Sequence, residues 1–255
     1  MIRIGDLSVN RLGFGAMRVC GPNIWGPPRD RANALRVLRR PHELGVNFYD
    51  TADSYGPHVD EELIAEALHP YPKDLVIATK GGLLRPRPGA WDPDGRPEHL
   101  KKALDGSLKR LKLERIDLYQ LHAPDPKVPF ADSVGALADG QRAGKIRHVG
   151  LSNVSVKQLE EARRICPIVS VQNEYNVEDR SSEAVLKACE KLGIAFVPWY
   201  PLGSGQALKA ERVKAIARRH KATAAQVALA WLLAKSPVMV PIPGTADLKL
   251  SLIHI

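Results

Sequence analysis

Short apolar runs alternate along this chain with segments whose apolar residues recur three and four positions apart. The runs lie near residues 11–16, 46–50, 75–80, 116–121, 147–151, 168–172, 194–198 and 238–242. Between them, stretches such as Glu61 to Leu68, Leu100 to Leu111, Val134 to Ala143 and Ser181 to Leu192 carry helical spacing. Strand–helix alternation implies parallel strands joined by right-handed crossovers. Eight strand candidates favour a closed sheet over an open one. The expected fold class is therefore α/β, a (β/α)8 or TIM barrel, and 255 residues suit it.

Three stretches break the rhythm. Ile2 to Val9 reads as a β-hairpin turning at Gly5-Asp6, placed to cap the N-terminal mouth of the barrel. Gly81 to Pro97 is rich in Gly, Pro and Arg, holds Trp91, and reads as a long loop of the kind that is functional or disordered. Val238 to Thr245 reads as strand eight and its loop, yet only Ala246 to Ile255 follow where a final helix is expected. Leu250-Ser251-Leu252-Ile253-His254-Ile255 reads like a translated transposase-adapter end. The expectation is one barrel domain over residues 1–249, C-terminally truncated, followed by a non-native tail at 250–255.

Composition narrows the class. A 44% apolar fraction is ordinary for a globular protein, and no run approaches the roughly 18 apolar residues of a membrane span. Cys20, Cys166 and Cys189 are odd in number and unpaired in spacing, as expected of reduced thiols in a cytoplasmic protein. The net charge of +9 gathers in runs such as Lys109-Arg110-Leu111-Lys112 and Arg218-Arg219-His220-Lys221. Without interleaved aromatics these read as wet helix faces that help to attract an anionic cofactor, not as a nucleic-acid surface.

The candidate chemistry sits at strand ends. Asp50-Thr51-Ala52-Asp53-Ser54-Tyr55-Gly56 puts a carboxylate and a phenol five residues apart after strand two. Lys80 ends strand three and His122 ends strand four. In a parallel barrel these positions face one mouth. Together they could reduce a carbonyl. Tyr55 would donate a proton, Lys80 would lower the phenol pKa, Asp50 would orient Lys80, and His122 would polarise the carbonyl oxygen. Singly, each has an ordinary explanation: a helix cap, a turn, a snorkelling lysine, or a loop-orienting or metal-binding histidine. No His-x-His or His-Glu-x-x-His spacing supports the metal. Gly13-Phe14-Gly15 lacks the third glycine of a dinucleotide-binding turn.

Several ordered motifs accompany the four groups: Arg11-Leu12-Gly13-Phe14-Gly15-Ala16-Met17, Gly150-Leu151-Ser152-Asn153, Gln172-Asn173-Glu174-Tyr175-Asn176, Pro201-Leu202-Gly203 and Ile242-Pro243-Gly244-Thr245. With them the chain resembles the aldo-keto reductases from Asn10 to about Lys249, and Asp50, Tyr55, Lys80 and His122 match that family's tetrad. The resemblance implies an NADPH cofactor, with NAD as the alternative. It implies that Ser152, Asn153 and Gln172 bind the nicotinamide carboxamide and that Trp199 stacks on the ring. It places Leu202, Gly203 and Ser204 against the pyrophosphate, and Gly244 and Thr245 at the adenosine phosphate. Trp25 and Trp91 fall in loops that build the substrate pocket. Trp25-Gly26-Pro27-Pro28 and Tyr55-Gly56-Pro57-His58 are similar to pyridoxal reductases within the family. The expected partner is thus a small carbonyl compound, with pyridoxal as the candidate. The competing readings are a catalytically weak nicotinamide-binding regulatory subunit and an inactive truncated fragment.

Overall fold

The computed structural model describes residues 1–205 and 207–250; of the expected tail, residues 251–255 lie outside the described residues. Seven parallel strands form one curled sheet: β3 (Phe14–Gly15), β4 (Phe48–Asp50), β5 (Val76–Gly81), β8 (Ile116–Leu121), β9 (Ile146–Ser152), β10 (Ile168–Gln172) and β11 (Ala195–Phe196), in that order across the sheet. Helices α1 (Arg31–Glu43), α2 (Val59–Leu68), α3 (Pro97–Leu111), α4 (Phe130–Arg142), α5 (Val156–Arg163) and α6 (Glu183–Leu192) connect them, and α7 (Glu211–Arg219) and α8 (Ala224–Lys235) follow β11. Their starts are encoded locally. Asp30 caps α1, and Ser155 and Thr223 form reciprocal capping boxes with Gln158 and Gln226.

The eighth run does not form a regular strand. Residues 238–243 nevertheless bridge the two edges of the sheet. Phe196 N–H donates to Val238 O (2.9 Å) and Val240 N–H to Phe196 O (2.8 Å). On the other side Gly13 N–H donates to Pro241 O (2.9 Å) and Gly15 N–H to Pro243 O (3.1 Å). Pro241 and Pro243 have no N–H to return, so the seam closes through their carbonyls without a two-way ladder.

Two-residue periodicity sorts the strand side chains. Tyr49, Ile77, Tyr119 and Leu121 face the helices, while Phe48, Val76, Ala78, Leu118, Ala195, Val197, Val240 and Ile242 form an interior cluster. Ile4, Leu7 and Val9 join that interior cluster from an antiparallel hairpin, β1 (Ile2–Ile4) and β2 (Leu7–Val9). Two residues further along β4, β5 and β8 the interior turns polar, with Asp50, Lys80 and Gln120, and β10 adds Gln172. The apolar floor ends where the chemistry starts.

The stretch from Gly81 to Pro97 is not an open loop. It forms a small antiparallel hairpin, β6 (Leu83–Leu84) with β7 (Asp92–Pro93), and Trp91 ends the loop that joins the two strands. All three cysteines are free and buried. No helix among the described residues is long and apolar enough to cross a membrane.

Candidate active site

The four strand-end groups meet inside the barrel mouth. Lys80 is 1% exposed. Its Nζ donates to Asp50 Oδ1 (2.6 Å), to the Thr51 carbonyl (2.8 Å) and to the Tyr55 hydroxyl (3.4 Å). The other carboxylate oxygen, Asp50 Oδ2, accepts from Gln172 Nε2 (2.8 Å) and Gln120 Nε2 (3.3 Å). A buried charge pair is tolerated only when its remaining lone pairs and protons are satisfied, and here two amides and a carbonyl do so. Gln120 was not singled out from the sequence. Its signal is a polar residue two positions before His122, on the inward face of β8.

His122 lies edge-on to Tyr55, with ring centroids 5.8 Å apart, and its Nδ1 is 3.3 Å from Ser54 Oγ. Burial and the nearby Lys80 charge push the His122 pKa well below the usual imidazole value. The ring is therefore neutral at neutral pH and can donate one N–H. The Tyr55 phenol departs from the sequence reading, in which Lys80 lowers its pKa. Burial, with the carboxylates of Asp50 and Asp60, pushes it well above the ordinary phenol value. The Lys80 ammonium, 2.6 Å from Asp50 and 3.4 Å from Tyr55, does not offset that burial. Tyr55 is a neutral phenol here, with its proton in place.

A second buried carboxyl layer lies behind the first. Asp60 accepts from Thr51 Oγ1 (2.7 Å), and burial raises its pKa to about 7. Glu61 takes Thr79 Oγ1 (2.6 Å) and Arg110 Nε (2.7 Å). The Thr51 carbonyl on Lys80 and the Thr51 hydroxyl on Asp60 thus link the two layers through one residue.

A cavity of about 320 Å³ opens over the tetrad. Asp50, Tyr55 and His122 line it together with Ser152, Asn153, Gln172, Trp199, Leu202, Gly244 and Trp91. Asn153 organises one wall. With φ at +59° it turns out of β9, in a left-handed conformation that Asn tolerates. Its Nδ2 donates to His122 O (3.0 Å) and Ser152 Oγ (3.1 Å), and its Oδ1 accepts from Trp199 Nε1 (3.0 Å). The indole plane is thereby tied to the end of strand β8.

This donor set fits a nicotinamide. A carboxamide needs a matched acceptor and donor, which Ser152, Asn153 and Gln172 carry, and the ring needs a flat apolar face, which Trp199 carries. Other expected residues stand elsewhere. Among the described residues lining the cavity, Trp25, Gly203 and Thr245 do not figure. Thr245 Oγ1 is engaged in a local turn, accepting from Asp247 N–H (2.9 Å). Trp25 lies against Arg85, with its ring centroid 5.8 Å from the guanidinium carbon. The Ser204 side chain lies outside the described residues. Gly244 is demanded by packing, because a Cβ there would lie 2.0 Å from the Gly15 carbonyl oxygen across the seam.

A model of the aldo/keto reductase family matches residues 11–250. The chain belongs to the aldo/keto reductase family. It is 46% identical over 250 residues to pyridoxine 4-dehydrogenase of Escherichia coli, covering 96% of this chain and 87% of that one. An uncharacterised oxidoreductase of Schizosaccharomyces pombe is 50% identical over 246 residues, covering 96% and 80% of the two chains. Among solved structures, a thermostable aldo-keto reductase, Tm1743, crystallised with the inhibitor epalrestat, superposes with a TM-score of 0.84 at 33% identity, covering 96% of this chain and 88% of that one. The site of this aldo/keto reductase family member occupies the mouth at which the strands end.

Proposed function

We propose that this chain reduces an aldehyde or ketone to the alcohol with NADPH, and that pyridoxal is among its substrates. The observation that carries this reading is the buried chain Asp50–Lys80–Tyr55 beside His122, with Asp50, Tyr55 and His122 lining one cavity. A reduced nicotinamide, when bound, supplies the hydride to the carbonyl carbon. Ser152, Asn153 and Gln172 would hold its carboxamide, and Trp199 would cover one face of its ring. Leu202 and Gly244 line the same cavity, where backbone can approach the rest of the cofactor.

The protein supplies the proton and the setting. Tyr55 gives its phenolic proton to the carbonyl oxygen as the C–O bond becomes an alcohol. The phenolate left behind lies 3.4 Å from the Lys80 ammonium, which stabilises it until a proton returns. His122, neutral and a donor, holds the carbonyl oxygen where charge develops. Asp50 keeps Lys80 aimed. Hydride and proton together reduce one carbonyl to one alcohol. Pyridoxal is favoured by the relationship to pyridoxine 4-dehydrogenase of E. coli and by the aromatic wall at Trp91.

Tyr55→Phe tests the assignment. It removes the proton donor and leaves the cofactor residues intact. The expected result is a fall in kcat of about 10²–10⁴, the usual worth of a general acid. Quenching of tryptophan fluorescence by NADPH should be unchanged. Full activity in the variant would remove Tyr55 from the mechanism. Pyridoxal turning over no faster than unrelated aldehydes of its size would remove the substrate.

A further inference from the structure

One assembly beside the site is costly in two ways that the proposed chemistry does not use. Arg85, at the end of the β6 turn, is 7% exposed. Its Nη2 donates to the Asn23 carbonyl (3.1 Å), but Nε and Nη1 are buried with no hydrogen-bond partner, and no ion pair among the described residues includes it. A buried guanidinium without a carboxylate is destabilising. The loop that provides its acceptor is strained. Asn23 and Ile24 have φ of +59° and +58°, and a β-branched residue in that region is an outlier. This loop is hydrogen-bonded to the residue after Tyr55: Gly56 N–H donates to Ile24 O (3.3 Å) and Gly26 N–H to Gly56 O (2.7 Å). Orphaned donors and backbone strain in one place, touching the site, mark an arrangement kept for something other than stability.

What the arrangement holds is Trp91. The guanidinium carbon lies 3.7 Å from the Trp91 ring centroid and 5.8 Å from that of Trp25. Trp91 in turn meets Tyr55 edge-on at 6.3 Å and His122 at 6.4 Å, and it lines the cavity. Trp91 is itself 37% exposed, so packing alone leaves it free to swing into solvent. We propose that Arg85 is a specificity-determining positioning residue, clamping Trp91 as a fixed flat wall so that the site favours planar aromatic carbonyl compounds over aliphatic ones. The inference rests on the carbonyl-reductase reading. Arg85 touches no reacting atom; it acts through Trp91.

The test uses Arg85→Met, which keeps the apolar stem, and Arg85→Lys, which keeps the charge without the planar fork. Each is assayed with NADPH against 4-nitrobenzaldehyde, 4-carboxybenzaldehyde and hexanal. The expected result for Arg85→Met is an aromatic-to-aliphatic ratio of kcat/KM about tenfold below wild type, on the scale of a lost cation–π contact. The loss should fall equally on both aromatic substrates and mainly on KM. Arg85→Lys should recover only part of it. Trp91→Ala should give the same loss, and the double variant no further one. Without cofactor, the near-ultraviolet circular dichroism that distinguishes wild type from Trp91→Phe should vanish in Arg85→Met while the far-ultraviolet spectrum is kept. An unchanged ratio in both Arg85 variants overturns the proposal. So does a loss confined to 4-carboxybenzaldehyde, which would make Arg85 a reader of charge. If wild type reduces none of the three aldehydes, the carbonyl-reductase reading fails, whereas the dichroism still decides whether Arg85 fixes Trp91.

Discussion

Replacing Lys80 by Met strips the cation from the most buried ion pair in the site and leaves Asp50 2–3% exposed with a charge to keep. Breaking a buried pair from one side costs about 3–5 kcal/mol, because the remaining ion is stranded. Here Gln172 and Gln120 still donate to Asp50 Oδ2, so the cost should fall near the low end, about 3 kcal/mol. For a domain of this size that lowers Tm by roughly 6–12 °C. Asp50→Asn alone strands Lys80 in the same way. The double variant Asp50→Asn/Lys80→Met removes both charges and keeps an acceptor for Gln172. Its stability should return to within about 1 kcal/mol of wild type, as when buried ion pairs are replaced by neutral groups. Activity should not return, because Tyr55 has lost the charge that supports its phenolate. Thermal unfolding followed by circular dichroism, with turnover measured on the same four proteins, closes the cycle. Additive destabilisation in the double variant would refute the argument, since it would mean that Lys80 and Asp50 contribute independently and are not one pair.

Asp60, with its folded pKa of about 7 above the ordinary 3.8, binds its proton more tightly folded than unfolded. Stability should therefore fall as pH rises from about 4 to 7 and level off above. Asp60→Asn should flatten that slope in urea titrations at successive pH values. Its gain at pH 8 has a ceiling of about 4 kcal/mol, reduced by about 1–3 for the new amide donor left without a partner. A slope that survives the substitution would place the titration elsewhere. Gly244→Ala drives a methyl into the Gly15 carbonyl at 2.0 Å, backbone against backbone, and should destabilise by about 1–3 kcal/mol or more in thermal melts. A neutral result would mean that the seam is loose.

Much of this was legible in the chain because periodicity and position carry it. Alternation along β5 and β8 separates Ile77, Tyr119 and Leu121, facing the helices, from Val76, Ala78 and Leu118, facing the interior. Continuing the same count places Lys80 and His122 at the mouth. The eighth segment was legible as an apolar run, but its irregular pairing follows from Pro241 and Pro243 meeting Gly13 and Gly15, a relation between distant residues. The Tyr55 pKa was misjudged for a similar reason. Identity alone says that a lysine is near; only the fold shows how deeply the phenol is buried. Arg85 was hidden in a stretch that looked like loop, since no local pattern says that a guanidinium packs on the indoles of Trp25 and Trp91.

The seam has a consequence for how the protein is made. Residues 13–15 emerge from the ribosome long before their second neighbours, Pro241 and Pro243. Joining points so far apart along a chain costs about 5 kcal/mol in loop-closure entropy. During synthesis, then, β3 and β11 are the bare margins of an open sheet, each with unpaired N–H and C=O groups. Such margins are templates for pairing with other chains. The enzyme stays exposed to aggregation until residues 238–243 have been translated, and that short stretch of extended chain closes both margins.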